Sequence, residues 1–264
     1  MRKNGTHDSG EVGRRGGVQT IERAFHLLEV LAAGGGEMSI SQLADESGLP
    51  MPTIHRLLRT LAAQGYVRQQ PSRRYALGPR LIWLGESAER LLAAWALPHL
   101  EKLVAELDET VNVAMLDGDR AVYVAQVPGT RPMRTFTEVG RRVHLHSTGV
   151  GKALLAALPD EQMIDLVGRI PLPANTEHTI VDRDVLLADL RAARVDGFSV
   201  DDGEQDIGVR CVAVAMPADT VRAAISVSAP SVRLTDDMRE RAARLLRRSA
   251  EELGRELISR NGPT

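Results

Sequence analysis

Residues 38–78, MSISQLADESGLPMPTIHRLLRTLAAQGYVRQQPSRRYALG, decide the fold of the first part of the chain. SISQLADESG predicts a short helix that breaks at Gly48 and Pro50. A second helix follows at once in PTIHRLLRTLAAQG. Ile54, Leu57, Leu58 and Leu61 recur at i, i+3, i+4 and i+7, so one face of it is apolar and packs inward. The opposite face carries Thr53, His55, Arg56, Arg59 and Thr60. Two short helices joined by a tight Gly-containing turn, the second basic on its free face, form a helix-turn-helix. YVRQQPSRRYALG alternates and turns at Pro71-Ser72, which predicts a two-stranded hairpin, or wing. Residues 51–80 hold six arginines and no Asp or Glu. That one-signed patch is the electrostatic footprint of a duplex DNA binder. The competing reading is a solvated basic helix of an all-helical enzyme; the wing and the acid-free run argue against it.

Charge is divided along the chain in the same sense. Residues 1–80 hold 11 Lys/Arg against 7 Asp/Glu, a net of +4, and residues 81–264 hold 22 against 28, a net of −6. A basic head on an acidic body suits a protein that touches nucleic acid through one domain only. Cys211 is the sole cysteine, so no intramolecular disulfide forms and a cytoplasmic setting is expected. The N-terminus lacks an apolar h-region, and the longest apolar stretch, LIWLGESAERLLAAWAL, is broken by Glu86, Glu89 and Arg90. Neither a signal peptide nor a membrane span is expected.

Four segments are predicted. Residues 1–17, polar and Gly-rich, form a disordered arm whose Arg14 and Arg15 can reach DNA. Residues 18–79 form the DNA-binding domain, opening with a helix from Val18 to Ala33 whose apolar stripe is Ile21, Ala24, Phe25, Leu28, Leu31 and Ala32. Residues 80–97 form a linker helix, ended by Pro98 and apolar through Leu81, Trp83, Leu84, Leu91, Leu92 and Trp95. Such a face is expected to meet a second chain, the alternative being that it packs back on its own domain. Residues 98–260 form the remaining domain. Its elements are a helix at His99–Leu107, a hairpin VNVAML-DGD-AVYVAQ and a strand at Pro132–Val139. Helices follow at STGVGKALLAALP, Asp160–Val167 and Asp182–Val195. GFSVDDGEQDIGVRCVAVAMP gives strand, acidic loop, strand, and VRAAISVSAP a last strand. The final helix runs from Asp236 to Ile258 with Thr235 as its cap. Helices interleaved with antiparallel-type strands make an α+β domain.

The stretch from Val18 to Gly78 resembles the N-terminal module of the IclR family of bacterial transcription regulators. HLHSTGVGKALLAALP and GFSVDDGEQDIGVRCVAVAMP, followed by AAISVSAPSVRLT, resemble the two signature regions of that family's effector-binding domain. The likeness runs in order from about Val18 to Leu257. It implies a winged helix-turn-helix, a linker helix and a C-terminal GAF-like α/β effector-binding domain. It also implies a homodimer or dimer of dimers that binds double-stranded operator DNA and answers a small, carboxylate-bearing metabolite, with no cofactor, no metal and no catalysis. The family often has Lys-Ser before the Thr of its recognition helix; here Met51 and Pro52 stand there, so ionic phosphate contacts must come from elsewhere.

The residues assigned to DNA are Ser41, Thr53, His55, Arg56, Arg59, Arg68, Arg73 and Arg74. Thr53 and Arg56 lie where helix-turn-helix proteins meet base edges, and guanidinium pairs bidentately with guanine. Arg59, Arg68, Arg73 and Arg74 are expected on phosphates, which position without specifying. The resemblance carries effector contacts onto Gly149, Val150, Asp201, Val209, Cys211, Ser226 and Ser228, with Arg134 or Arg141 as candidate neutralisers of an acid. Three enzyme-like patterns carry less weight. His144 and His146 alternate near Cys211 and Glu204 without a tight ligand cluster. Ser147, His144 and Asp201 lack a G-x-S-x-G elbow. GVGK lacks the spacing of a phosphate loop. A small-molecule enzyme with a decorative winged helix, or a winged helix serving protein contacts, remains the alternative.

Overall fold

The computed structural model describes residues 18–92, 94–131, 138–217 and 222–260. They divide into two compact units, with the division between Ser87 and Ala88. The predicted arm lies outside the described residues, as does the body of the strand expected at Pro132–Val139.

The first unit runs α1 (Gln19–Ala33), β1 (Glu37–Met38), α2 (Ile40–Ser47), α3 (Met51–Ala63), β2 (Val67–Gln69) and β3 (Tyr75–Leu77). A capping box opens α2: the Gln42 N–H donates to Ser39 Oγ at 3.2 Å, and the Ser39 N–H donates to Gln42 Oε1 at 3.0 Å. Gly48 closes α2 at φ 66, a left-handed cap that a side chain would strain. Pro50 and Pro52 then start α3, where a missing N–H is no loss. Leu43, Ile54, Leu57, Leu58, Met38 and Val67 close over Leu27 and Leu31 of α1 to form the core.

Two expectations fail here. The α1 stripe is rotated: Leu27 and Leu31 are buried, whereas Ile21 is 54 % and Phe25 61 % exposed, and Ala32 faces out. Two apolar stripes share this helix at the same period, and only the neighbouring α2 and α3 decide which one turns inward. The sheet also has three strands, in the order β1-β3-β2, because Glu37 and Met38 pair with Ala76 and Tyr75. A two-residue strand is too short to show an alternation.

α4 (Arg80–Leu92) crosses the division between the units. It stops short of the predicted end at residue 97, and Pro98 lies in the first turn of α5 (Leu97–Leu107) rather than terminating a helix. The two tryptophans therefore part company. Trp83 is 60 % exposed, while Trp95 is buried in the core of the second unit.

That unit continues with β4 (Thr110–Asp117), β5 (Arg120–Val127), β6 (Arg142–His144), α6 (Gly149–Ala156), α7 (Asp160–Arg169) and α8 (Arg183–Asp196). It ends with β7 (Ser199–Asp202), β8 (Val209–Ala215), β9 (Ala223–Pro230) and α9 (Asp236–Arg260). The strands form one antiparallel sheet in the order β6-β5-β4-β9-β8-β7. β6 was not anticipated; its three residues sit at one edge. Val111, Val113, Val212, Val214, Ile225 and Val227 point to one face, against α5 and α9. Ala114, Ala121, Ala213 and Ala224 point to the other, against α6, α7 and α8.

Small side chains on that second face let α6 lie close to the sheet. A Cβ on Gly149 would stand 2.8 Å from Cys211 Sγ, and one on Gly151 would stand 2.4 Å from the Leu145 carbonyl oxygen. The second contact is with backbone and has no cheap relief. Gly151→Ala is expected to destabilise the second unit by about 1–3 kcal/mol, through overpacking. Thermal unfolding followed by circular dichroism checks it; an unchanged midpoint would contradict the close approach.

Candidate functional site

In the first unit, His55, Arg56 and Arg59 stand exposed on α3, Thr53 is half-buried, and Ser41 is exposed at the start of α2. A groove of about 550 Å³ lies between α3 and the hairpin, lined by Pro52, His55, Arg56, Arg59, Gln69 and Tyr75 among others. Arg68 and Arg73 are exposed on the wing. Among the described residues, none of Arg56, Arg59, Arg68 and Arg73 has an acidic partner. Arg74 differs. Its guanidinium holds Glu37, at 3.1 Å to the carboxylate and 3.0 Å to the carbonyl, and so ties β3 to β1. Arg80 is likewise occupied, stacked over Tyr66 at 5.3 Å and donating to the Gln64 carbonyl. Four of the six arginines therefore keep their charge free.

Arg73 takes φ 63 at the wing tip, its N–H donating to the Gln70 carbonyl and Gln70 N–H donating to the Arg74 carbonyl. A left-handed residue closing a type I turn matches a common hairpin geometry, usually filled by glycine. The arginine is kept there at a backbone cost of roughly 1–2 kcal/mol.

In the second unit, register gathers the predicted effector contacts on one face of the sheet. Asp201 pairs with Cys211, Cys211 with Ser228, and Ser228 with Thr110. In the next row Ala213 pairs with Ser226, Ser226 with Asn112, and Asn112 with Gln126. The start of α6 closes over this strip through Gly149 and Val150, held by Thr148, whose Oγ1 accepts from the Gly151 N–H at 3.2 Å. Val209 is half-buried at the start of β8. Sequence reasoning missed Thr110, Asn112 and Tyr123, all buried on the same side. The signal was present, since Asn112 is an amide within an apolar strand.

The strip is a polar lining inside a core. Ser226 Oγ is buried with no oxygen or nitrogen partner, and the Cys211 sulfur is its neighbour. Burial pushes the Cys211 thiol up to about 11, the Asp201 charge adding to it, while the Ser228 and Ser226 hydroxyls and the Gly149 N–H oppose. Burial likewise raises the Tyr123 phenol. Burial pushes Asp201 up to about 7, against the Glu204 N–H that holds its carboxylate at 2.8 Å. Arg141 is exposed, yet its charge reaches the Tyr123 phenol; Arg134 lies outside the described residues.

The enzyme-like patterns do not assemble. Ser147 Oγ donates to Gln205 Oε1 and accepts from Asn175 Nδ2, so neither His144 nor Asp201 activates it. The His144 and His146 rings lie 5.5 Å apart, and His146 Nε2 is bonded to the Pro173 carbonyl. Burial lowers the basicity of both. Among the described residues no three His, Cys, Asp or Glu side chains converge for a metal. Lys152 of the GVGK stretch is buried in ion pairs and so offers no phosphate contact.

Comparison with known proteins places both sites in one context. The family profile "IclR helix-turn-helix domain" matches residues 20–71, and "Bacterial transcriptional regulator IclR C-terminal" matches residues 88–255. The transcriptional repressor IclR of Escherichia coli K12 is 38 % identical over 246 residues, covering 90 % of this chain and 89 % of that protein. The HTH-type transcriptional repressor AllR of the same strain is 34 % identical over 258 residues, 96 % of this chain and 95 % of that protein. The crystal structure of the Thermotoga maritima IclR is 28 % identical with a TM-score of 0.72, covering 91 % of this chain and 99 % of that one.

The raised Asp201 carboxyl carries a stability signature. Unfolding returns it to the ordinary carboxylate range, so below about pH 4 both states hold the proton. As pH climbs from there to about 7, only the unfolded state releases it, and stability falls. Asp201→Asn keeps the acceptor for the Glu204 N–H and removes the buried charge. It is expected to stabilise the second unit above pH 7 by on the order of 1–3 kcal/mol, with the gain fading toward pH 4. Urea unfolding at several pH values measures this; a gain that grows toward acid would refute the assignment.

Proposed function

The chain belongs to the IclR family of bacterial DNA-binding transcriptional regulators, which are not enzymes, and we propose that it is a repressor released or tightened by a small carboxylate. The observation that carries the DNA half is the unpaired quartet Arg56, Arg59, Arg68 and Arg73 around the α3 groove. Arg56 reads a base edge from the start of α3, with Thr53 and His55 beside it and Ser41 reaching in from α2. Arg59, Arg68 and Arg73 neutralise phosphates, and Arg74 braces the wing that presents them. Repression follows the two similar proteins that carry that description.

The effector occupies the strip between α6 and the sheet. Gly149 and Val150 supply the helix start and an apolar wall, Ser226 and Ser228 supply hydroxyls, and Cys211 and Val209 supply contact surface. Asp201 then accepts from a ligand hydroxyl or shares a proton with its carboxylate. The ligand must bind the DNA-competent and incompetent arrangements unequally, or it switches nothing.

Two copies are expected to act together, since a duplex operator is read by symmetric half-sites. Ile82, Trp83 and Leu84 are 64 %, 60 % and 40 % exposed on α4, apolar surface that favours a second copy. Among the described residues no helix is long and apolar enough to cross a membrane, which agrees with a cytoplasmic setting.

Fluorescence anisotropy with duplexes from upstream of the protein's own reading frame tests this, at several salt concentrations and with a panel of small aliphatic and aromatic carboxylates. Arg56→Ala should lose about 1–3 kcal/mol and relax sequence preference, whereas Arg73→Gly should weaken all duplexes alike and flatten the salt slope by about one unit. Arg73→Gly should also leave the first unit as stable or up to about 1 kcal/mol more so, because the strained backbone relaxes. Absence of salt-dependent affinity would end the regulator reading. Trp83→Glu should shift sedimentation toward a single chain, and an unchanged mass would exclude α4 from the interface.

A further inference from the structure

Lys152 is the single fully buried cation among the described residues, with 1 % of its side chain exposed. Neither the DNA face nor the effector strip uses it directly. It sits on α6, three residues after Gly149. Its ammonium lies 2.5 Å from Glu204 Oε1 and 3.1 Å from Asp189 Oδ2 of α8. A leucine would fill such a site without desolvating a charge, and buried ion pairs are often no more stabilising than that.

What the charge holds explains its place. Glu204 lies in the turn between β7 and β8, bracketed by Gly203 at φ 76 and Gly208 at φ 80. It is fixed at three points. Its carboxylate takes Lys152. Its carbonyl accepts from Thr179 Oγ1 at 2.7 Å and Thr176 Oγ1 at 3.4 Å. Its N–H donates to Asp201 Oδ1 at 2.8 Å, joined by the Gln205 N–H at 3.3 Å. The peptide that orients Asp201 therefore belongs to the residue whose side chain Lys152 grips.

We propose that Lys152 is a positioning residue of the effector site: through Glu204 it holds the 203–205 turn so that the Asp201 carboxylate stays aimed across the strip beside Cys211. The assignment rests on the reading of Asp201 as an effector contact, and its test uses no effector. Lys152 joins three parts of the fold, α6, the 203–205 turn and α8, so the placement of Asp201 and the start of α6 over the strip are set together. Glu204 Oε2 is buried without a partner, so the side-chain hold on the turn passes through the oxygen that Lys152 engages.

Cys211, the sole cysteine, is cross-strand to Asp201 and reports on its placement. Two readouts on the full chain are compared: amide hydrogen exchange in the 201–206 segment against β4 and β9, and the rate of Cys211 alkylation by iodoacetamide from about pH 6 to pH 9. Lys152→Met/Glu204→Gln removes both charges and spares the fold an unpaired ion. It should unfold near the wild-type temperature, yet exchange the Glu204 and Gln205 amides about tenfold faster while β4 and β9 stay unchanged. Its alkylation profile should move toward that of Asp201→Asn. Lys152→Arg, which keeps the cation, should return both readouts to wild-type values. Wild-type exchange and alkylation in the double variant would overturn the proposal, leaving Lys152 as mere compensation of a buried charge. So would faster exchange spread evenly over all strands, or failure of Lys152→Arg to restore either readout. None of these outcomes bears on whether Asp201 touches the effector, which the response of Asp201→Asn to the carboxylate panel decides by itself.

Discussion

Strand register in the six-stranded sheet is the constraint on which the second unit depends. Side chains alternate with a period of two, so a slip of one residue in β9 against its neighbours would send Ser226 and Ser228 into the aliphatic layer under α5 and α9. Ile225 and Val227 would then face α6. Two chemically opposed faces fix one alignment, and that alignment lines up Asp201, Cys211, Ser228 and Thr110 across four strands. On the proposed reading of the site, effector binding and folding specificity share the same hydroxyls.

The cost of that sharing is paid in desolvation. Buried polar groups weaken a core unless each finds a partner. Here the Ser226 hydroxyl meets only the Cys211 sulfur, and burial pushes the Asp201 carboxyl up to about 7 although its Oδ1 accepts from the Glu204 and Gln205 N–H groups. The opposite face of the sheet, by contrast, is aliphatic through Val111, Val113, Val212, Val214, Ile225 and Val227.

Much of this was legible in the residues. The helix-turn-helix showed itself because capping, glycine and proline signals at Ser39, Gly48, Pro50 and Pro52 agree with the apolar period of α3. The strands of the hairpin at residues 110–127 and the last helix were equally plain. What stayed hidden was decided by partners distant in sequence. The inward stripe of α1 depends on α2 and α3, the parting of Trp83 and Trp95 on where a second core begins, and Arg74 was drawn off by Glu37, 37 positions away. The residues proposed to meet the effector came from family likeness, and Asn112 stood out as an amide in an apolar strand, whereas Thr110, Tyr123 and the Lys152–Glu204 grip emerge only once strands are aligned.

The lodging of the lone thiol has one more consequence. Sulfur reacts with peroxides as thiolate, and a group pushed up to about 11 supplies roughly one thiolate in ten thousand at neutral pH. Cys211 is also 4 % exposed and has no second cysteine with which to close a bridge. In the folded protein this thiol is therefore a poor target for direct oxidation, and its place is that of a small side chain under α6.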